Sequence, residues 1–142
     1  MAAMNSGRVV MGGLVAGLVM NVIDTIVNAT ILQADMTALA QRFGRDPNEL
    51  ASFSAAAPWI VVDFLLGLSA VFTYAGFRPR FGPGPKTALL AALPLFIASG
   101  AVVSGFASMG MMSTAALVKG GVASLLSISI GALAGAWVYR EA

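Results

Sequence analysis

Polar side chains interrupt the first long apolar stretch of the chain. Asn21, Asp24, Thr25 and Asn28 follow the Gly13–Gly17 step in a run that is otherwise almost entirely apolar. Residues three or four positions apart lie on the same face of a helix, so these small and polar side chains share one side. A carboxylate within a membrane-spanning helix is costly unless it faces protein or water. This row of oxygen and amide groups could coordinate a cation or bind a proton.

A second carboxylate, Asp63, follows Trp59, where we expect the second span to begin. A rise of about 1.5 Å per residue places Asp24 roughly 12 Å and Asp63 roughly 6 Å below the outer surface. The two carboxylates could share a pocket that is open to the outside and closed below by apolar packing. In the structural alternative, the asparagines bond to neighbouring helices and Lys119 forms an ion pair with Asp63. The candidate polar intramembrane site comprises Asn21, Asp24, Thr25, Asn28, Asp63 and Lys119.

The composition indicates that lipid is the solvent for most of the chain. The 142 residues are 58 % hydrophobic and 10 % charged, whereas soluble domains have about 45–50 % apolar and about 25 % charged residues. There is no cysteine and no histidine, which excludes disulfides, thiolate nucleophiles, the usual zinc sites and histidine acid–base chemistry. We therefore expect no catalytic residue, metal or cofactor. The net charge of +2 is too small to suggest a nucleic-acid partner.

Four segments are long and apolar enough to cross a bilayer, which takes roughly 20 residues. We predict an all-α fold, an integral membrane four-helix bundle that forms one domain over residues 1–142. Pro58 suits the first turn of the second helix, and Pro94 should kink the third. The predicted spans are about residues 9–32, 59–77, 87–109 and 117–139.

The two longest connections carry different signals. Between the first two spans, the sequence predicts a short helical hairpin on the outer surface, at about residues 35–54. This hairpin is either a packed connector or a lid over a site. Asp35 can cap its first helix and Gly44 can end it, while Asp46–Glu49 has the pattern of a capping box. Three prolines and two glycines in Phe77–Lys86 predict a tight turn without helix.

Positively charged residues are unevenly distributed between the two ends of this bundle. Because cytoplasmic loops carry an excess of Lys and Arg, we predict that both termini and the proline-rich turn are cytoplasmic. The cytoplasmic side would hold Arg8, Arg78, Arg80, Lys86 and Arg140, and the outer side Arg42, Arg45 and Lys119.

Small residues recur at a spacing of four on three of the spans. Such stripes let helices approach closely in lipid, so we expect them to pack within the bundle or in a homo-oligomer. They are Gly13/Gly17, Gly100/Ser104/Ser108, Gly131/Gly135 and Ser127/Gly131.

Three motifs give the chain a resemblance to a known group. They are RVVMGGLVAG at 8–17, RPRFGPGPKT at 78–87 and GAWVYR at 135–140. In these motifs the chain resembles uncharacterised small four-span proteins of the bacterial inner membrane. The resemblance implies a multi-pass protein of that inner (plasma) membrane with a cytoplasmic turn, and it carries over no catalytic residue.

Two functions fit these observations. The first is a non-catalytic structural or accessory membrane component, acting in the bilayer as a homo-oligomer or in a larger membrane complex. The alternative is a minimal proton- or cation-coupled transporter or ion pathway that uses Asp24 and Asp63. An intramembrane aspartyl enzyme is a third possibility, but neither carboxylate lies in a recognisable catalytic motif, so we expect that the protein is not an enzyme.

Overall fold

The computed structural model describes residues 4–140, and within this range the chain forms six helices and no strand. The predicted all-α fold is therefore confirmed. Four of the helices are long and apolar enough to cross a membrane, and they form a bundle, as expected for a multi-pass membrane protein. The helices are α1 (Ser6–Thr30), α2 (Gln33–Arg42), α3 (Pro47–Leu50), α4 (Phe53–Phe81), α5 (Pro85–Ser108) and α6 (Thr114–Val138).

The helix α1 packs closely on both α4 and α6, and α5 packs on the other side of these two helices. The core is built mainly from small side chains, with many alanines and few large residues such as Met20, Val71 and Ile128. Small side chains allow the helix backbones to approach closely, which is the main source of attraction between helices in lipid. Large apolar side chains such as Leu18, Ile97 and Val122 are exposed on the outside of the bundle.

The helix α4 begins earlier than the sequence pattern predicts. It starts at Phe53 rather than near Trp59, because the Ser52 hydroxyl accepts a hydrogen bond from the Ala55 N–H at 3.4 Å and caps the helix. Pro58 consequently lies inside the helix rather than at its first position. Asp63 then follows the first residue of α4 by ten residues, or roughly 15 Å along the helix axis at 1.5 Å per residue, so it lies further from the start of its helix than predicted.

The prediction that Phe77–Lys86 is free of helix is wrong at both ends, because α4 runs to Phe81 and α5 begins at Pro85. The helix α4 continues through Pro79 to Phe81, and the non-helical turn contains only Gly82, Pro83 and Gly84. A proline inside a helix removes one hydrogen bond but need not end it. The end comes at Gly82, where φ is 76°, a conformation that glycine adopts without steric cost.

The hairpin between α1 and α4 is shorter than predicted. Asp46 caps α3 as expected, since its carboxylate accepts a hydrogen bond from the Asn48 N–H at 2.8 Å. Gly44 ends the preceding segment with a φ of 65°, also as expected. Asp35, however, lies in the first turn of α2 instead of capping it. Its carboxylate accepts a hydrogen bond from Lys119 Nζ at 2.8 Å, which ties α2 to α6.

Replacing Lys119 by Met should loosen α2 without affecting the bundle. The Lys119 side chain is 44 % exposed, and exposed ion pairs contribute only about 0.2–1 kcal/mol. We therefore expect amide hydrogen exchange in α2 to accelerate by at most about fivefold, with α1 and α4 unchanged. Lys86→Met, at the opposite end of the bundle, is the control. Unchanged exchange in α2 would show that the ion pair does not hold this helix.

Only the first half of α5 packs on the bundle. Its buried residues, Thr87, Ala88, Ala91 and Ala92, all precede Pro94. Every residue from Ala101 to Phe106 is exposed, so no face of this segment is covered by the rest of the described chain. The glycine–serine stripe beginning at Gly100 lies in this exposed half, and a Cβ on Gly100 would meet open space.

Candidate functional site

The register between α1 and α4 brings the two carboxylates of the spans together. Asn21 Nδ2 donates to the carbonyl oxygen of Ile60 at 3.3 Å and to that of Gly17 in its own helix at 2.9 Å. Side chains on a helix tilt toward its N-terminus. Because α1 and α4 run in opposite directions, Asp24 tilts away from the end of the bundle that carries α2 and Asp63 tilts toward that end, so their carboxyl groups converge from different levels.

The carboxyl groups of Asp24 and Asp63 are direct neighbours. Asp63 is only 8 % exposed, and Asp24 is half-buried. The third helix of the site, α6, contributes Ser127, which is 1 % exposed and lies beside the Asp24 carboxyl. Its Oγ is buried and forms no hydrogen bond with the described residues. We refer to Asp24, Asp63 and Ser127 as the carboxylate cluster.

Ser127 was not part of the candidate site in the sequence analysis. A signal was present, because Ser127 lies four residues before Gly131 and eight before Gly135, on the α6 face that packs against α1. The carbonyl oxygen of Gly12 would lie 2.7 Å from a Cβ added to Gly135, and that of Ala16 would lie 3.1 Å from a Cβ added to Gly131. A serine that continues such a stripe must also face α1, and there it meets Asp24.

Close backbone contacts lie between the carboxylate cluster and the end of the bundle that contains the α4–α5 turn. A Cβ added to Gly17 would lie 2.7 Å from the Cα of Phe64, and one added to Gly67 would lie 2.5 Å from the carbonyl oxygen of Gly13. Met20 lies in the same region and is 1 % exposed. On this side of the cluster the helices therefore approach closely at glycines, beside the buried side chain of Met20.

The other candidate residues do not join the cluster. Thr25 and Asn28 are exposed, and Asn28 Nδ2 donates to the backbone carbonyl of Asp24 within α1 at 2.8 Å. The predicted ion pair between Lys119 and Asp63 does not form, because Lys119 pairs with Asp35. Lys119 precedes Ser127 by eight residues, or roughly 12 Å along α6, which is beyond the reach of its side chain to the level of the cluster.

Two cavities of the described chain lie at the ends of the bundle, away from the carboxylate cluster. The outer cavity, about 160 Å³, lies between α2 and the start of α6 and includes Asp35 and Met112 in its lining. The inner cavity, about 450 Å³, lies where α4, α5 and α6 meet and includes Tyr74 and Arg78. Neither of these two cavities is lined by Asp24 or Asp63.

The fold and the cluster together define a class of protein. It is an all-α bundle with four helices of membrane-spanning length, in which two carboxyl groups from different helices meet above a tightly packed apolar layer. Comparisons with protein-family models, with curated proteins and with solved structures found no match for the chain.

Proposed function

We propose that the protein is a minimal proton-coupled transporter or proton pathway, and that Asp24 and Asp63 together bind the transported proton. The observation that carries this proposal is the contact between their carboxyl groups at the interface of α1 and α4. Two carboxylates in contact in a medium of low dielectric cannot both be ionised without strong repulsion, and a proton between them relieves it. Such a pair can take up a proton and release it again.

The surroundings of the pair support a site for a proton rather than a fixed ion pair. Lys119, the cation predicted to pair with Asp63, is bound to Asp35 at the end of the bundle. An acidic side chain in the middle of a span costs about 2.5–3.5 kcal/mol on insertion scales. Asn21 was predicted to lie beside the pair, but its side-chain amide donates hydrogen bonds to two backbone carbonyls rather than to a carboxylate. We infer that function, rather than stability, accounts for the two acids.

The proposed setting is the bacterial inner membrane with both termini in the cytoplasm. It is supported by the larger number of Lys and Arg residues at the end that contains the α4–α5 turn and by the positive-inside rule. In this orientation the carboxylate cluster lies in the outer half of the bundle. The contacts at Gly17 and Gly67 close the inner side, so release to the cytoplasm requires a shift between α1 and α4.

Proton flux into proteoliposomes tests this function. With the purified full chain and an imposed membrane potential, we expect internal acidification, which protein-free vesicles lack. A hydrophobic carbodiimide, which attacks protonated carboxyl groups in apolar surroundings, should stop the flux and add to Asp24 or Asp63 in peptide mapping. Absence of flux under proton, Na⁺ and K⁺ gradients would refute transport. Flux of Na⁺ or K⁺ alone would instead assign the pair to cation coupling.

The exposed half of α5 favours a second candidate function, that of a structural or accessory component. Within the described chain, every residue of α5 from Ala101 to Phe106 is exposed, and a Cβ added to Gly100 or Gly105 would meet nothing within 4 Å. Small residues on an uncovered helix suit close packing against another helix, from a second copy or from a larger complex. This candidate predicts that the carboxylate pair matters for assembly and not for flux.

A further inference from the structure

The inner cavity has a basic and aromatic rim that the transport proposal does not use. It lies at the opposite end of the bundle from the outer hairpin, between the end of α4, the start of α5 and the end of α6. Arg78 and Arg140 belong to its lining, together with Tyr74, Tyr139 and Trp137. Its volume of about 450 Å³ is within the range of small-molecule sites, about 300–1,000 Å³.

Two tyrosine rings position the guanidinium of Arg78. Its Cζ lies 5.4 Å from the ring centroid of Tyr139 and 5.9 Å from that of Tyr74. The two rings meet edge to face with centroids 6.0 Å apart. Both tyrosines are 4 % exposed, so the rings are fixed by packing. A guanidinium held against aromatic rings places a fixed positive charge at this rim, and such a charge favours an anionic group such as phosphate.

The tyrosine hydroxyls are also fixed at this rim. Tyr74 Oη accepts a hydrogen bond from the N–H of Gly84 at 3.2 Å, and Tyr139 Oη accepts one from the N–H of Asn5 at 3.4 Å. Both hydroxyls therefore lie at the lining of the cavity with their rings packed in the bundle. Gly84 and Pro85, the N-cap and the first residue of α5, complete the rim, and the positive end of this helix also favours an anion.

The lining changes from basic to apolar along the cavity. Ala88, Leu133 and Ala136 line it on the side of the bundle, and no carboxylate of the described chain is part of the lining. Trp137 is 83 % exposed beside it, as is typical of tryptophan at the surface of a bilayer. A ligand that matches this lining has an anionic head and an apolar tail, which describes a phospholipid better than a free phosphate ion.

We propose that the inner cavity binds an anionic phospholipid, with its phosphate on Arg78 and Arg140 and its acyl chains along Leu133 and Ala136. This site is independent of the proposed transport function, since it shares no residue with the carboxylate cluster. The excess of positive charge at this end of the bundle agrees with the negative cytoplasmic leaflet of a membrane.

Native mass spectrometry of the purified full chain tests the proposal. After removal of lipid, phosphatidylglycerol and phosphatidylcholine with the same acyl chains are added separately. We expect the protein to retain phosphatidylglycerol about tenfold more strongly, and Arg78→Gln to remove most of this preference. Arg140→Gln should reduce it by a smaller factor. Arg45→Gln, which neutralises an exposed arginine of the outer hairpin, is the matched control and should leave the preference unchanged.

Each other outcome overturns the proposal. Equal retention of both lipids by the wild-type chain would show that no anionic headgroup is recognised. Equal loss in Arg45→Gln would show a response to net charge alone. Glycerol phosphate that binds as tightly as phosphatidylglycerol would show that the ligand is a soluble phosphate ester. Circular dichroism and gel filtration show whether Arg78→Gln folds. If it does not, Arg140→Gln and Arg78→Lys replace it in the lipid measurement. An undiminished preference for phosphatidylglycerol in both of these variants would refute the site.

Discussion

Asp24→Asn is expected to reduce proton flux to the level of protein-free vesicles. The substitution keeps the size and most of the polarity of the side chain but removes one of the two carboxyl groups that meet between α1 and α4. An amide cannot exchange a proton with Asp63, so the proposed site loses its function while the surrounding contacts remain. The measurement is acidification of proteoliposomes that contain equal amounts of folded wild-type and variant protein.

Asp46→Asn is the matched control for this experiment. It makes the same chemical change in the exposed N-cap of α3, where asparagine caps as well as aspartate, so its flux should equal that of the wild type. Asp63→Asn should behave like Asp24→Asn. If Asp24→Asn conducts normally, the carboxylate pair has no part in transport. If it instead changes the oligomer size or loses a co-purifying partner, the structural or accessory function gains support.

Gly67→Val is expected to separate α1 from α4 and to unfold most of the bundle. A Cβ at this position would meet the backbone nitrogen of Gly17 and lie 2.5 Å from the carbonyl oxygen of Gly13. Backbone atoms cannot move aside as the end of a side chain can, so the helices themselves must shift. Overpacking typically costs about 1–3 kcal/mol and occasionally more, and we expect a loss of about 3 kcal/mol here.

Gly76→Val on the same helix isolates the steric contribution. A Cβ on Gly76 would meet nothing within 4 Å, so this variant carries the same change in helix propensity without the clash. Unfolding by titration with a denaturing detergent, followed by circular dichroism, measures both variants. We expect Gly76→Val to remain close to the wild type. Equal stability of the two variants would mean that α1 and α4 are not in contact at Gly67.

The carboxylate cluster shows which contacts can be predicted from the sequence and which cannot. The one-sided placement of Asn21 and Asp24 on α1 follows from helical periodicity alone, and the structure has both on the side that faces α4 and α6. The choice of partner for Asp63 does not follow from periodicity. It depends on the register of α1 against α4 and on the position of α2, which binds Lys119 through Asp35. The sequence offered Lys119 and Asp24 as equally reasonable neighbours.

The helix boundaries near two prolines also could not be predicted from the sequence alone. Pro58 and Pro79 suggested a helix start and a helix end, but both lie within α4. A proline excludes one hydrogen bond of its own nitrogen, which a helix with a strong cap such as Ser52 and good packing beyond it can tolerate. The capping effects of Asp46 and Gly44 were predicted correctly because they depend only on residues next to each other in the chain.

The sequence by itself determined the helices of membrane-spanning length, the absence of cysteine and histidine chemistry, and the face of α1 that carries Asp24, since composition and periodicity are local properties. The tertiary structure alone decided that Asp24 meets Asp63 and Ser127, that Lys119 lies elsewhere, and that two tyrosines hold Arg78 over the inner cavity. These pairings depend on how closely glycines let the helices approach and on the register that this approach fixes. Both are properties of several helices together.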